Sequence, residues 1–244
     1  MSYAHSGAAV QLPAPVQGYL ATAFDGPPPI LTSLVLEGRG RVHIGPLPWL
    51  PIHARMHYRL GRDYVGLIRI RVAGLTLLRV IDAFVDKGGI TKIGPVASIG
   101  PEIDQGAFLG MWPLLAAYPS AWTDGVVWEP IDEHRAGLRL PFGDGQEVAT
   151  VDFDPNSGYP VRFAADRFKG ASGRKVRWIG GSTDWRRIDG VPVPGRITAH
   201  WSDEPGPWFE LEVGGAQTDV SIDVALAQGR RAIMAARRKK ETAS

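Results

Sequence analysis

Two titratable residues lie on otherwise apolar rows of predicted strands, and they are the first candidates for acid–base chemistry. The segment Thr76–Asp86 alternates, so that Asp82 shares a face with Leu78, Val80 and Phe84. A carboxylate buried on such a face must be paired or protonated. Asp82 therefore either forms a structural ion pair with an arginine of a neighbouring strand or faces a pocket as a catalytic group.

His134 is the second candidate, because it opens a strand-like segment on the row of Ala136, Leu138 and Leu140. A neutral histidine that is hydrogen-bonded in the core accounts for this position without any function. In a pocket, the same imidazole would exchange a proton near neutral pH. Asp82 and His134 are thus candidate catalytic residues, and the sequence leaves both interpretations open.

Other patterns argue against metal and cofactor chemistry. His53 and His57 have the spacing of a helical metal site, but they lie in the alternating segment Pro51–Leu60. On a strand, four residues span about 13 Å, too far for two imidazoles to share a metal. We expect both histidines on the solvent face. The chain has no cysteine, no glycine-rich phosphate loop, no nucleophile elbow and no zinc-protease motif, so we expect no metal and no cofactor.

One stretch, Gly100–Trp122, does not alternate, and we predict a helix over residues 102–122. From Ala107 to Tyr118 it is apolar nearly all round, which is typical of a buried helix. The chain also contains eight tryptophans, which either pack singly or cluster around one cavity. We predict that aromatic and apolar residues of this region line a ligand pocket; they are Phe108, Met111, Trp112, Leu115, Trp122 and Trp178.

The remaining segments predict one mainly β domain over residues 1–244. A short helix is expected within residues 1–24, a run of short antiparallel strands over residues 31–222, and a terminal helix over residues 223–240. With few helices and consecutive strands, the helices are expected on one side of the sheet.

We expect a cytoplasmic protein, because the sequence shows neither a secretion signal nor a segment long enough to be transmembrane. The formal net charge is only +2, and much of the positive excess lies in the final helix, at Arg237–Lys240. The body lacks the basic stripe with interleaved aromatic residues that nucleic-acid binding requires. The basic tail is either a solvated helix end or a weak contact for an anionic surface. No secretion signal is recognised at the N-terminus.

Several short motifs occur in an order that resembles, over nearly the full length, a bacterial protein family of unknown function. They are LPAPVQGYL, WLPIHA, DAFVDKGG, GPEIDQG, PSAW with VWEPID, ADRF, and DWRRIDGVPVPG. The chain departs from that family in the central helix. Where the family carries acidic and basic residues, this chain has Ala107, Gly110 and Leu114. The resemblance therefore implies that any function of those charged positions is lost or changed here.

The layout of the C-terminal half is similar to that of the lipoprotein-localisation (LolA-like) carriers. The carrying features are a strand at Val148–Asp154, a second at Tyr159–Phe168, the run Asp189-Gly-Val-Pro and a final long hairpin. This resemblance implies an antiparallel, unclosed β half-barrel with a buried central helix and an apolar interior. It favours binding of a hydrophobic small molecule, lipid or acyl chain. The alternative is a cofactor-independent cyclase, isomerase or dehydratase that uses acid–base chemistry, and the fold does not decide between them.

Overall fold

A computed structural model describes residues 12–171 and 173–242 of the chain. Within these residues, three helices are α1 (Ala14–Ala23), α2 (Pro101–Leu115) and α3 (Asp223–Glu241), with a single 3₁₀ turn at Pro119–Ala121. The strands are β1 (Ser33–Val42), β2 (Leu50–Arg59), β3 (Asp63–Val72), β4 (Leu75–Val85), β5 (Gly88–Ile93), β6 (Val96–Ser98), β7 (Val127–Pro130), β8 (Arg135–Phe142), β9 (Gly145–Phe153), β10 (Pro160–Phe168), β11 (Lys175–Thr183), β12 (Arg186–Ile188), β13 (Val191–Val193), β14 (Arg196–Trp201) and β15 (Pro207–Thr218). The first eleven residues of the predicted N-terminal segment lie outside the described part.

Thirteen of the strands form one antiparallel sheet, in the order β6-β5-β4-β3-β2-β1-β15-β14-β11-β10-β9-β8-β7. The last long strand, β15, joins the two halves by pairing with β1 on one side and β14 on the other. The edge strands β6 and β7 do not pair with each other, so the sheet stays open. The prediction of a mainly β, antiparallel and unclosed half-barrel is therefore confirmed.

Alternation of side chains sets which face of each strand is buried. In β2, the inward residues Ile52, Ala54, Met56 and Tyr58 are all buried. The predicted hairpin between β3 and β4 turns at residues 73–74, where Ala73 and Gly74 adopt positive φ angles of 49° and 82°. Two successive positive φ angles match the right-handed twist of the flanking strands. The register of the hairpin shifts once close to this turn, between Ile70 and Arg71.

The central helix is shorter than predicted. It begins after Gly100, whose φ of 135° favours glycine, and it ends at Leu115 rather than at residue 122. The next turn tightens, since the N–H of Ala117 donates to the carbonyl of Leu114. Pro119 then starts a separate 3₁₀ turn. Asp104 accepts the N–H of Gly89 at 2.6 Å, so this acid ties the helix start to β5.

The helices lie on both faces of the sheet, and the prediction of helices on one side is wrong. α1 and α2 contribute to the main core on the concave face. α3 covers the convex face, where Leu226 and Ile233 pack with Val65, Val85 and Ile90 in a second core. Strands β3 to β5 are thus apolar on both faces, which a period-two pattern does not reveal. The last turn of α3 exposes three basic residues, namely Arg238, Lys239 and Lys240.

No described helix combines the length and the apolar character that a membrane crossing requires.

α3 also changes the environment of His57. This residue is only 7% exposed, and its Nδ1–H donates to the carbonyl of Val65 at 3.1 Å. His53 is half-buried, and its Nε2 lies 3.0 Å from a carboxylate oxygen of Glu37. The expectation that both histidines face solvent is therefore wrong for His57, because the terminal helix covers that part of the convex face.

We expect Trp112→Ala to lower the free energy of unfolding by about 3–5 kcal/mol, since it removes a large aromatic side chain from a packed core. Trp112 is 1% exposed and stacks edge-to-face on Phe108 with the ring centroids 6.1 Å apart. Denaturant titration measures the change. Leu77→Ala is the control, because Leu77 is 59% exposed. Equal losses in the two variants would contradict the placement of Trp112.

A second prediction concerns pH. Burial lowers the pKa of His57, and the nearby Arg55 lowers it further, whereas the hydrogen bond to Val65 and the charge of Glu37 oppose this. A lowered pKa in the folded state means that the unfolded chain takes up the proton first as pH falls below about 6.5. Stability should therefore decrease on acidification until the folded-state pKa is reached.

The measurement is the free energy of unfolding of wild type and His57→Gln between about pH 7 and pH 5. The wild type should lose more stability over this range than the variant. Parallel pH profiles of the two proteins would show that His57 does not contribute.

Candidate functional site

A cavity of about 940 Å³ lies between α2 and the part of the concave face formed by β1 to β4, β14 and β15. Most of its wall is apolar, and four of the eight tryptophans contribute to it. The apolar and aromatic wall includes Trp49, Met56, Ile68, Val80, Ile93, Trp178, Ile197, Ala199, Trp201, Trp208 and Phe209. Four tryptophans therefore line the cavity, namely Trp49, Trp178, Trp201 and Trp208, and the other four lie outside it.

One stripe of α2 lines the cavity, and its aromatic residues face the core. The cavity stripe contains Glu102, Ile103, Gly106, Gly110, Pro113 and Leu114. The predicted ligand-binding residues on this helix instead occupy the opposite stripe, where all are buried in the core; they are Phe108, Met111, Trp112 and Leu115. Spacings of three and four residues place these four side chains on one helix face. These four predicted residues therefore lie on the face of α2 that points away from the cavity.

The two predicted ligand-binding tryptophans outside α2 lie in different environments. Trp178, on β11, lines the cavity. Trp122 packs edge-to-face on Trp128, with the ring centroids 5.2 Å apart, and belongs to the core beside α2. Of the six predicted ligand-binding residues, only Trp178 borders the cavity, because the concave surface next to β7 to β10 is filled with packed aromatic side chains.

Arg167 projects into the cavity from β10 and was not among the predicted site residues. It follows Phe163 and Ala165 on the inward row of this strand, and both of those residues are buried. The guanidinium carbon lies 4.8 Å from the ring centroid of Trp178 and 5.7 Å from that of Trp201. Both distances fall within the range of cation–π attraction. An arginine on an otherwise apolar strand row was the available sequence signal.

The guanidinium also lies close to the two cavity-lining glycines of α2. A Cβ atom on Gly106 would come within 3.0 Å of Nε of Arg167, and one on Gly110 within 3.3 Å of Nη1. The glycines therefore provide the space that the arginine side chain occupies.

A buried glutamine fixes the backbone on either side of this arginine. Nε2 of Gln105 donates to the carbonyl of Asp166 at 2.9 Å, and Oε1 of Gln105 accepts the N–H of Phe168 at 3.2 Å. Gln105 is 2% exposed, so both bonds are shielded from water. This pair of bonds anchors the end of β10 to α2 and holds Arg167 in a fixed position.

Arg167 has no direct counter-ion among residues 12–171 and 173–242. Its Nε is buried without a hydrogen-bond acceptor there. It takes part in none of the ion pairs found in the same residues. Burial lowers the pKa of the guanidinium, while the negative charge of Asp82 acts in the opposite direction. Arginine nevertheless remains charged in proteins.

Asp82 lines the same cavity. Its Oδ1 accepts the hydroxyl of Thr91 at 2.8 Å, and it forms no ion pair with a described residue. Tyr64 lies close by. Burial raises the pKa of Tyr64 well above its ordinary value, and the Asp82 charge adds to this. The Tyr64 hydroxyl therefore stays protonated.

His134 lies away from the cavity and is exposed. Its backbone N–H donates to Oδ1 of Asp132, and its carbonyl accepts the N–H of Phe153. β8 begins one residue later, and the buried row starts at Ala136. The expectation that His134 shares the apolar face is wrong, because the strand does not extend back to it.

The described residues hold no group of three histidine, aspartate or glutamate side chains placed to bind a metal ion. The site thus consists of a mostly apolar compartment whose wall also carries two arginines and four carboxylates, namely Arg41, Arg167, Asp82, Glu102, Glu204 and Glu210. Such a site can desolvate an apolar molecule and orient a polar group on it.

Residues 4–211 match the model of a family described as a family of unknown function, DUF6544. The resemblance to a family of unknown function expected from the sequence motifs is thereby confirmed. No curated protein matches the chain.

Solved structures similar to this chain include the following two. One is a LolA superfamily protein from Nitrosomonas europaea, with 12% identity, a TM-score of 0.49, and coverage of 86% of this chain and 96% of that one. The other is a DUF1329 family protein from Desulfovibrio piger, with 13% identity, a TM-score of 0.48, and coverage of 87% and 95%.

Proposed function

We propose that this chain, which belongs to the DUF6544 family of unknown function, binds a hydrophobic small molecule or acyl chain in the cavity beside α2. The observation that carries the proposal is a cavity of about 940 Å³ with a wall of tryptophan and aliphatic side chains. Ligand pockets of small molecules span about 300–1,000 Å³ and are mostly apolar.

The free energy for such binding comes from removing apolar ligand surface from water. Each buried methylene group contributes about 0.8 kcal/mol, so a short acyl chain is sufficient for measurable affinity after the costs of association. The tryptophan rings of the wall add broad, rigid contact area. The polar groups of the wall orient the ligand, and the apolar part of the wall provides most of the affinity.

The binding test uses N-phenyl-1-naphthylamine, an uncharged dye that fluoresces in apolar surroundings. Val80→Asn should weaken dye binding roughly tenfold, since the ligand then displaces water from an amide that it cannot hydrogen-bond. Val80 lies in the cavity wall on β4. Fluorescence titration gives the dissociation constants.

Leu77→Asn is the matched control, because Leu77 lies on the same strand, faces away from the cavity and is 59% exposed. Its dye affinity should equal that of wild type. If both variants bind the dye as wild type does, the cavity is not the binding site. If wild type itself does not bind the dye, the proposed function is wrong.

A second candidate function is cofactor-independent acid–base catalysis on a hydrophobic substrate. It is favoured by the presence of Asp82 in the cavity wall, beside the protonated Tyr64. A carboxylate that is poised next to an apolar compartment can accept a proton from a bound substrate. His134 has no part in this candidate mechanism, because it is exposed.

For this candidate, Asp82→Asn should reduce kcat on a hydrophobic substrate by roughly a hundredfold or more, since the variant retains the shape but loses the base. Steady-state kinetics with a substrate found by screening provides the measurement. The control is His134→Gln, which should keep the wild-type rate. Full turnover by Asp82→Asn would exclude Asp82 as the catalytic base.

A further inference from the structure

We propose that Arg167 binds the anionic group of the cavity ligand, so that the ligand is an amphiphile carrying a carboxylate or phosphate on an apolar chain. This inference rests on the proposed function and names the chemical class of its ligand. It depends on three features of Arg167: a charge without a direct partner, a rigid seat and a position at an apolar wall.

The first feature is the lack of a direct counter-ion. A charge removed from water is costly unless it is paired and hydrogen-bonded. Nε of Arg167 is buried and has no acceptor among the described residues. The carboxylate of Asp82 acts on Arg167 electrostatically, but no ion pair between the two is found among the described residues. The donors of the guanidinium are therefore available to a ligand.

The second feature is the rigid seat of the guanidinium. The rings of Trp178 and Trp201 lie within cation–π distance of it, and Gly106 and Gly110 leave the room that it occupies. Gln105 hydrogen-bonds to the backbone before and after Arg167. A side chain that is already ordered loses little conformational entropy on binding, so its hydrogen bonds contribute more to affinity. The same ordering would be unnecessary for an arginine that only covers a surface.

The third feature is the chemistry of the surroundings. A guanidinium presents parallel N–H donors that match the two oxygens of a carboxylate or phosphate group. Apolar side chains such as Ile197 and Ala199 line the same cavity and can contact an attached chain. The cavity thus joins an anion-binding group to an apolar compartment, which is the pattern of an amphiphile site.

Asp82 allows a second test, because its charge is opposite to that of Arg167. Its carboxylate lines the cavity and acts on Arg167 at longer range, so it weakens the attraction of Arg167 for an anion. Removing this charge should strengthen the binding of an anionic ligand, whereas removing the charge of Arg167 should weaken it. A purely apolar site would respond to neither change.

The experiment measures displacement of N-phenyl-1-naphthylamine by dodecanoate, dodecyl phosphate and dodecanol at neutral pH, below the concentrations at which they form micelles. Wild type should bind the two anions about ten- to hundredfold more tightly than the alcohol. Whichever anion binds more tightly identifies the headgroup. Arg167→Met should lose this preference while retaining dodecanol binding, and Asp82→Asn should increase it.

Arg167→Met keeps the side-chain length and the contact with the tryptophans but removes the charge. Its thermal midpoint without ligand should equal or exceed that of wild type, because a half-buried charge without a direct counter-ion is removed. Arg167→Lys keeps a charge without the paired donors, and it should show an intermediate preference.

If wild type binds the dye and dodecanol but shows no preference for the anions, the inference is wrong and the proposed function stands. The same conclusion follows if Arg167→Met keeps the preference. If wild type binds neither the dye nor any of the three competitors, the proposed function itself fails. A large loss of stability in Arg167→Met would assign Arg167 a structural role and would overturn the inference.

Discussion

The packing of α2 against the concave face of the sheet is the contact on which the rest of the structure depends. The large side chains of one stripe, including Phe108 and Trp112, fix the helix in the core. The opposite stripe has Gly106, Gly110 and Pro113, which leave the cavity open. A Cβ atom on Gly180 of β11 would lie 2.5 Å from Cγ of Pro113, so this close approach also requires glycine. α2 therefore packs into the core with one stripe and forms part of the cavity wall with the other.

Local sequence patterns correctly predicted the strands in which one face is buried and the other is exposed. The strands β2 and β4 and the turn at Ala73–Gly74 follow from alternation and turn residues. The length of α2 was overestimated, since apolar composition continues past the point where Pro119 starts another turn. α3 was placed correctly along the chain but on the wrong side of the sheet. The outward residues Val65, Ala83 and Val85 carried the signal for a covered convex face.

The candidate site was harder to predict because its defining residues are polar or small. A helix that is apolar all round has no preferred face in its sequence, so large residues such as Trp112 were assigned to the pocket. In the structure, the stripe of α2 that lines the cavity is the one that contains Gly106 and Gly110. Asp82 was found by the rule that a charge on an apolar row needs an explanation. The same rule applied to β10 identifies Arg167, whereas His134 fails it because the strand starts after that residue.

The convex-face helix explains how the cavity can remain open. A large apolar void in a protein core is costly, because its lining loses contacts on one side, and a thin sheet would tend to move into it. β3 and β4 form part of the cavity wall through Ile68 and Val80, and α3 packs against their opposite face. The ion pair between Arg230 of α3 and Asp86 at the end of β4, at 2.6 Å, adds a polar contact at the rim of this packing. The packing of α3 on the convex face therefore supports β3 and β4, and the cavity wall keeps its shape when no apolar molecule fills the cavity.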